Sequence, residues 1–106
     1  MHLAQIYYML SEKLSTSVKT KLLNTLESRI FSPMRLSFNN DTWIKSKHFW
    51  ETANNNWNAV CWTGVTFAAV ASLTNQADRD LFVHMAFKGS LSFFGGFRPD
   101  GYYTEG

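Results

Sequence analysis

The chain has 106 residues, a hydrophobic fraction of 45% and a net charge of +2 from ten Lys and Arg against eight Asp and Glu. That excludes a disordered tail, and the weak charge with no basic run gives no footprint for nucleic acid. Charged residues make up only 17% and aromatics 16%, short of the roughly 25% charge of ordinary soluble domains. Such a composition fits a chain that oligomerises or, preferably, one part of a larger body whose interior it helps to fill.

Residues 3–31 read as one long amphipathic helix. Ile6, Leu10, Leu14, Val18, Leu22, Leu26 and Ile30 recur every fourth position, flanked by Leu3, Tyr7 and Leu23. Lys13, Lys19, Lys21, Glu27 and Arg29 fall largely off that stripe, and Ser32-Pro33 is expected to end the helix. The opening MHLAQIYYML has neither the basic start nor the clean apolar core of a signal peptide.

From Met34 to Asn56 no period is sustained, and a long loop is expected. It holds Asn39-Asn40-Asp41, a second Asn cluster at 54–56, and the aromatics Trp43, Phe49 and Trp50. Aromatic faces stack on pyranose rings and amides bond hydroxyls in both directions, so this surface suits sugars.

A second helix is expected from Trp57 to Leu73, capped by one of Asn54 to Asn56. It is apolar on almost every side, which predicts burial all round, with Gly64 and the alanines letting neighbours approach closely. Its longest apolar stretch, Val65 to Leu73, is broken by Thr66 and Ser72 and is far shorter than the ~20 residues of a membrane span. Thr74-Asn75-Gln76 is a turn. A third helix starts at Asn75 or Asp78 and runs to about Phe94, with Leu81, Phe82, Met85, Leu91 and Phe94 on one face. Gly95-Gly96 stops it, and residues 98–106 form a loop. No strand pattern and no repeat is visible, so the expected class is all-α.

Two segments resemble a known family. NNWNAVCWTGVTFAAVA, residues 55–71, is similar to the inner-helix signature of heparinase II/III-like polysaccharide lyases, and PDGYYTEG, residues 99–106, resembles that family's PDG-x-x-x-EG loop. The resemblance spans about Leu10 to Gly106. It implies that residues 1–106 are one part of an α/α toroid, two concentric rings of paired helices, with no second domain in this stretch. Outside it the parent would carry the rest of the toroid and β-sandwich domains. The implied setting is periplasmic or secreted, with any signal lying upstream.

The chemistry implied by the resemblance is β-elimination on uronic-acid-containing polysaccharides, with an acidic polysaccharide as partner and no cofactor, membrane or nucleic acid. Abstracting the poorly acidic C5 proton throws charge onto the neighbouring carboxylate, which the enzyme must hold while a base and an acid act. Asn56 matches the family's carboxylate-binding Asn. Asn55, Trp57, Trp50 and Trp43 are the expected substrate-binding residues. Trp57 stands where several relatives carry a His; an indole donates one hydrogen bond or stacks, but takes no proton. The family's Tyr acid and late His match no position here, since Tyr102 and Tyr103 precede the EG.

Blander roles compete at each position. Asn56 also suits a helix cap, and Trp57 and Trp62 suit core packing. His48 is expected to be solvated without a partner, and His84 to be structural. Cys61, the one cysteine, excludes an internal disulfide and a cysteine-based zinc site, and reads as a small hydrophobe. Asp100 and Glu105 fit a Gly-rich turn better than a glycoside hydrolase's acid pair. A toroidal glycoside hydrolase and a non-catalytic carbohydrate-binding or scaffold module remain the alternatives.

Overall fold

The computed structural model describes residues 2–103, with Trp43 described by its backbone alone. Every element among them is helical, and a single antiparallel bridge joins Phe97 to Tyr103. The expected all-α class holds.

The N-terminal stripe is not one helix. It divides into α1 (His2–Leu10) and α2 (Thr16–Leu26). The amides of Lys13 and Leu14 both return to the Leu10 carbonyl, closing a turn. Ser15 is then extended, and its hydroxyl accepts from the Val18 amide at 3.4 Å. Ser15, Thr16 and Ser17 bring short hydroxyls that compete for backbone groups, and such residues favour caps over helix interiors. Periodicity of four is blind to that break, because both halves keep an apolar stripe. The break lets α1 fold back onto the later helices, where Ala4 is fully buried.

Ser32-Pro33 does not end the next helix. A π turn over Glu27–Phe31 leads straight into α3 (Ser32–Phe38), and the Ser32 amide bonds the Glu27 carbonyl five residues back. The widened turn delivers Pro33 to the first turn of α3, where a missing N–H costs nothing.

The stretch expected to be a long loop is also largely helical. Asn40 stops α3 with φ of 68°, a left-handed conformation that Asn tolerates. The Asp41 carboxylate then accepts from the Ile44 amide at 3.1 Å, opening α4 (Thr42–Lys47), and a 3-10 turn follows over Phe49–Glu51. Helices of one or two turns are too short to leave a period in sequence.

The long pair is as expected. α5 (Asn56–Ser72) and α6 (Gln76–Phe94) form a hairpin across a short link, and Asn75 caps α6 by accepting from the Asp78 amide at 3.1 Å. Between this pair and the N-terminal helices lies the core, in which Leu26, Phe31, Phe82 and Met85 are buried and the Phe31 and Phe82 rings meet at 5.1 Å. Arg35 lies over the Phe82 ring and pairs with Glu27 at 2.7 Å and Asp78 at 3.4 Å, tying the π turn and α3 to α6.

Two expectations about packing fail. α5 is not buried all round: Trp57, Val60 and Val70 are at least half exposed, as are Leu91 and Phe94 on α6. The apolar face of each long helix is wider than the neighbours it meets. Close approach, too, happens at Gly89 rather than Gly64. A Cβ at Gly89 would overlap the Trp62 indole, whereas one at Gly64 would meet nothing within 4 Å. Gly95 ends α6 in an ordinary right-handed conformation, and Gly96 is needed because the Asn54 carbonyl lies against it.

Candidate saccharide-binding site

The first turn of α5 carries the asparagines. Asn55 is extended, and its side-chain oxygen accepts from the Trp57 amide at 3.2 Å. It is therefore the cap of α5. Asn56 is the first residue of the helix and is exposed. Trp57 is 56% exposed, so its indole lies outside the core, unlike Trp62 at 6%. Asn56 and Trp57 both lie in the first turn of a long helix, at its positive end, where anions are favoured.

Trp50 is half-buried. Its ring meets Trp62 edge-on at 5.2 Å and lies 5.7 Å from the His48 ring, which pins it within the fold. The side chain of Trp43 lies outside the described residues.

Asn58, which the reading of α5 as an apolar helix passes over, is fully buried. Its Nδ2 faces the carbonyls of Trp50 at 3.0 Å, Glu51 at 2.9 Å and Gly89 at 3.1 Å. One amide therefore joins the start of α5 to the 3-10 turn and to α6. Its Oδ1 has no partner. The available signal was a polar residue on the inward face of an otherwise apolar helix, since a buried amide demands backbone partners.

The loop after α6 returns to the start of α5. The Tyr103 hydroxyl donates to the Asn54 carbonyl at 3.3 Å, and the Tyr103 ring packs on Phe93 and Phe97. Gly101 has φ of 81°, which favours glycine there. Asp100 accepts from the Tyr102 amide at 3.0 Å, so it serves its own turn. Glu105 lies outside the described residues.

A concavity of about 420 Å³ opens between α3, α4, the 3-10 turn and α6. His48 lines it and is not solvated without a partner. Its Nδ1 lies 2.8 Å from Glu51 Oε1, which also accepts from the buried Ser37 hydroxyl at 2.7 Å. A carboxylate only accepts, so Nδ1 carries the proton and Nε2 is left as the ring's second hydrogen-bonding atom. Ser, Glu and His do not make a nucleophilic triad here, because the serine donates to the carboxylate and no base faces it. Cys61 is half-buried, and burial pushes its thiol pKa up, opposite to an activated nucleophile. His84 is exposed and stands edge-on to Phe38 at 6.3 Å. Among the described residues no three His, Cys, Asp or Glu side chains gather as a metal site.

Neither a protein-family model, nor a curated protein, nor a solved structure matches the chain.

Proposed function

We propose that the chain is part of the helical, α/α-toroid domain of a lyase that cleaves uronic-acid-containing polysaccharides by β-elimination, and that it forms part of the substrate cleft. What supports this reading is the meeting of two distant segments. The Asn-Asn-Trp start of α5 and the Pro-Asp-Gly turn are the stretches that resemble the lyases, and the Tyr103 hydroxyl bonds the carbonyl of Asn54, the residue just before the first of them and 49 positions away.

In this reading the Asn56 amide and the α5 N-terminus hold the uronate carboxylate as charge develops on it, and the Trp57 face carries a sugar ring. Trp57 takes no proton, so the base at C5 is another group. The exposed apolar faces of α5 and α6 would be covered by further helices of the toroid. A glycoside hydrolase is less well supported, since Asp100 is engaged in its own turn.

Titration calorimetry with an oligouronate and a neutral oligosaccharide of equal length tests the reading. Binding of the oligouronate alone is expected, weakened about tenfold or more in Asn56→Ala by loss of a hydrogen bond to a charged group. Equal binding of the two saccharides, or an unchanged affinity in the variant, would overturn it.

A further inference from the structure

We infer that the exposed face of the α5–α6 hairpin is an interface between two copies of this chain, which pair across it as a four-helix arrangement. On α5, Val60, Thr63, Phe67 and Val70 are exposed and recur at alternating spacings of three and four. On α6, Val83, Phe87, Ser90 and Phe94 recur at spacings of four, three and four, and Phe87 is 69% and Phe94 61% exposed. Spacings that alternate in this way are the register of helices packed side by side on other helices. The two stripes share one side of the hairpin, because Thr63, Phe67, Val83, Phe87, Ser90 and Phe94 line a common groove of about 590 Å³. A contiguous apolar face with a groove in it marks an interaction surface, where single exposed apolar residues do not.

Charge and register select the occupant. Among the described residues no charged side chain lines the groove. A charged partner finds nothing to pair with there, whereas an identical neutral face meets itself without like-charge repulsion. The partner must also bring helices of matching register, and another α5–α6 hairpin does. Two-fold symmetry, the commonest way identical chains pair, sets α6 antiparallel to the α6 of the other copy. That direction suits Asp80, the charged residue that continues the α6 stripe toward its start. Antiparallel copies hold the two Asp80 residues at opposite ends of the seam, while parallel copies would set them side by side. α5 and α6 have 17 and 19 residues, so each is about 25 Å long, and with axes about 10 Å apart they offer on the order of 500 Å² per copy. A total of about 1,000 Å² lies at the lower edge of specific interfaces, which sets a dimer of micromolar strength. The inference goes beyond the lyase reading, which gives these faces to further helices of the parent: here the chain itself supplies helices of the required register.

Sedimentation velocity of the 106-residue chain over about 1 to 500 µM, a range that brackets a micromolar dissociation constant, tests the interface. A concentration-dependent shift from monomer to dimer is expected. Phe87→Glu should weaken the dimer at least tenfold with the helical circular dichroism unchanged, and Val70→Glu, on the other helix, should do the same. Tyr8→Glu, on α1 and equally exposed, should leave association unaltered. A chain that stays monomeric throughout would overturn the interface, as would association that continues past the dimer. So would a dimer that resists both hairpin substitutions while folded, or one that Tyr8→Glu weakens as much as they do. A monomeric chain refutes this interface alone, and an unchanged oligouronate affinity in Asn56→Ala refutes the α5 reading alone.

Discussion

Asn58 Nδ2 lies 3.1 Å from the carbonyl of Gly89, 31 positions further along the chain. With its contacts to the Trp50 and Glu51 carbonyls, this amide holds the start of α5, the 3-10 turn and the middle of α6 in one arrangement. The first turn of α5 and the segment that carries Glu51 are both held by it.

Asn58→Ala should therefore destabilise the fold by about 2–3 kcal/mol, since it orphans buried carbonyls and leaves a void. Asn58→Asp should cost more, because it turns a buried carboxylate toward carbonyl oxygens. Urea denaturation followed by circular dichroism gives both values. A loss below about 0.5 kcal/mol in Asn58→Ala would contradict the bridging role.

Gly89 and Gly64 should respond in opposite senses. Gly89→Ala drives a methyl into the Trp62 indole and should cost about 1–3 kcal/mol or more by overpacking. Gly64→Ala meets open space within α5 and should stabilise by about 0.5–1 kcal/mol through helix propensity. Thermal unfolding of the two variants in parallel reads the contrast, and a shift of the same sign in both refutes it.

The neighbouring asparagines should separate stability from binding. Asn55→Ala removes the α5 cap and should cost about 1 kcal/mol. Asn56→Ala should cost less than that and act mainly on oligouronate affinity. Melting temperatures beside calorimetric titrations of the two variants decide the assignment.

Cys61 should alkylate slowly. Burial raises its thiol pKa, so its thiolate fraction at pH 8 is smaller than that of a free cysteine, and the thiolate is the reacting form. The iodoacetamide rate should be below that of a model thiol and should rise at higher pH than the model's does. A rate above the model thiol would show activation instead.

The legible features were those encoded locally. α5 and α6 show in sequence because each is long enough for its composition and its capping Asn to stand out. Asn55 and Asn75 each supply the side-chain oxygen that the first turn of a helix lacks. The segments that resemble the lyases are local strings and can be read without knowing what they touch. The breaks were illegible for the opposite reason. A fourfold stripe runs through Ser15 unaltered, and Pro33 signals a stop until a π turn shifts the register beneath it.

The amino-acid sequence by itself thus determined an all-helical chain, its two long helices and the Asn-Asn-Trp start of α5. The tertiary structure decided which polar groups go inside and which distant groups meet. A buried amide such as Asn58 must take its hydrogen bonds from whatever backbone lies opposite, and the Gly89 carbonyl comes opposite only once α5 and α6 have packed. The pairing of His48 with Glu51 likewise required the 3-10 turn, which carries no periodic signal. The opening feature of α5 accordingly divides: Asn55 caps the helix, Asn56 is exposed in its first turn, and Asn58 holds the surrounding helices in place.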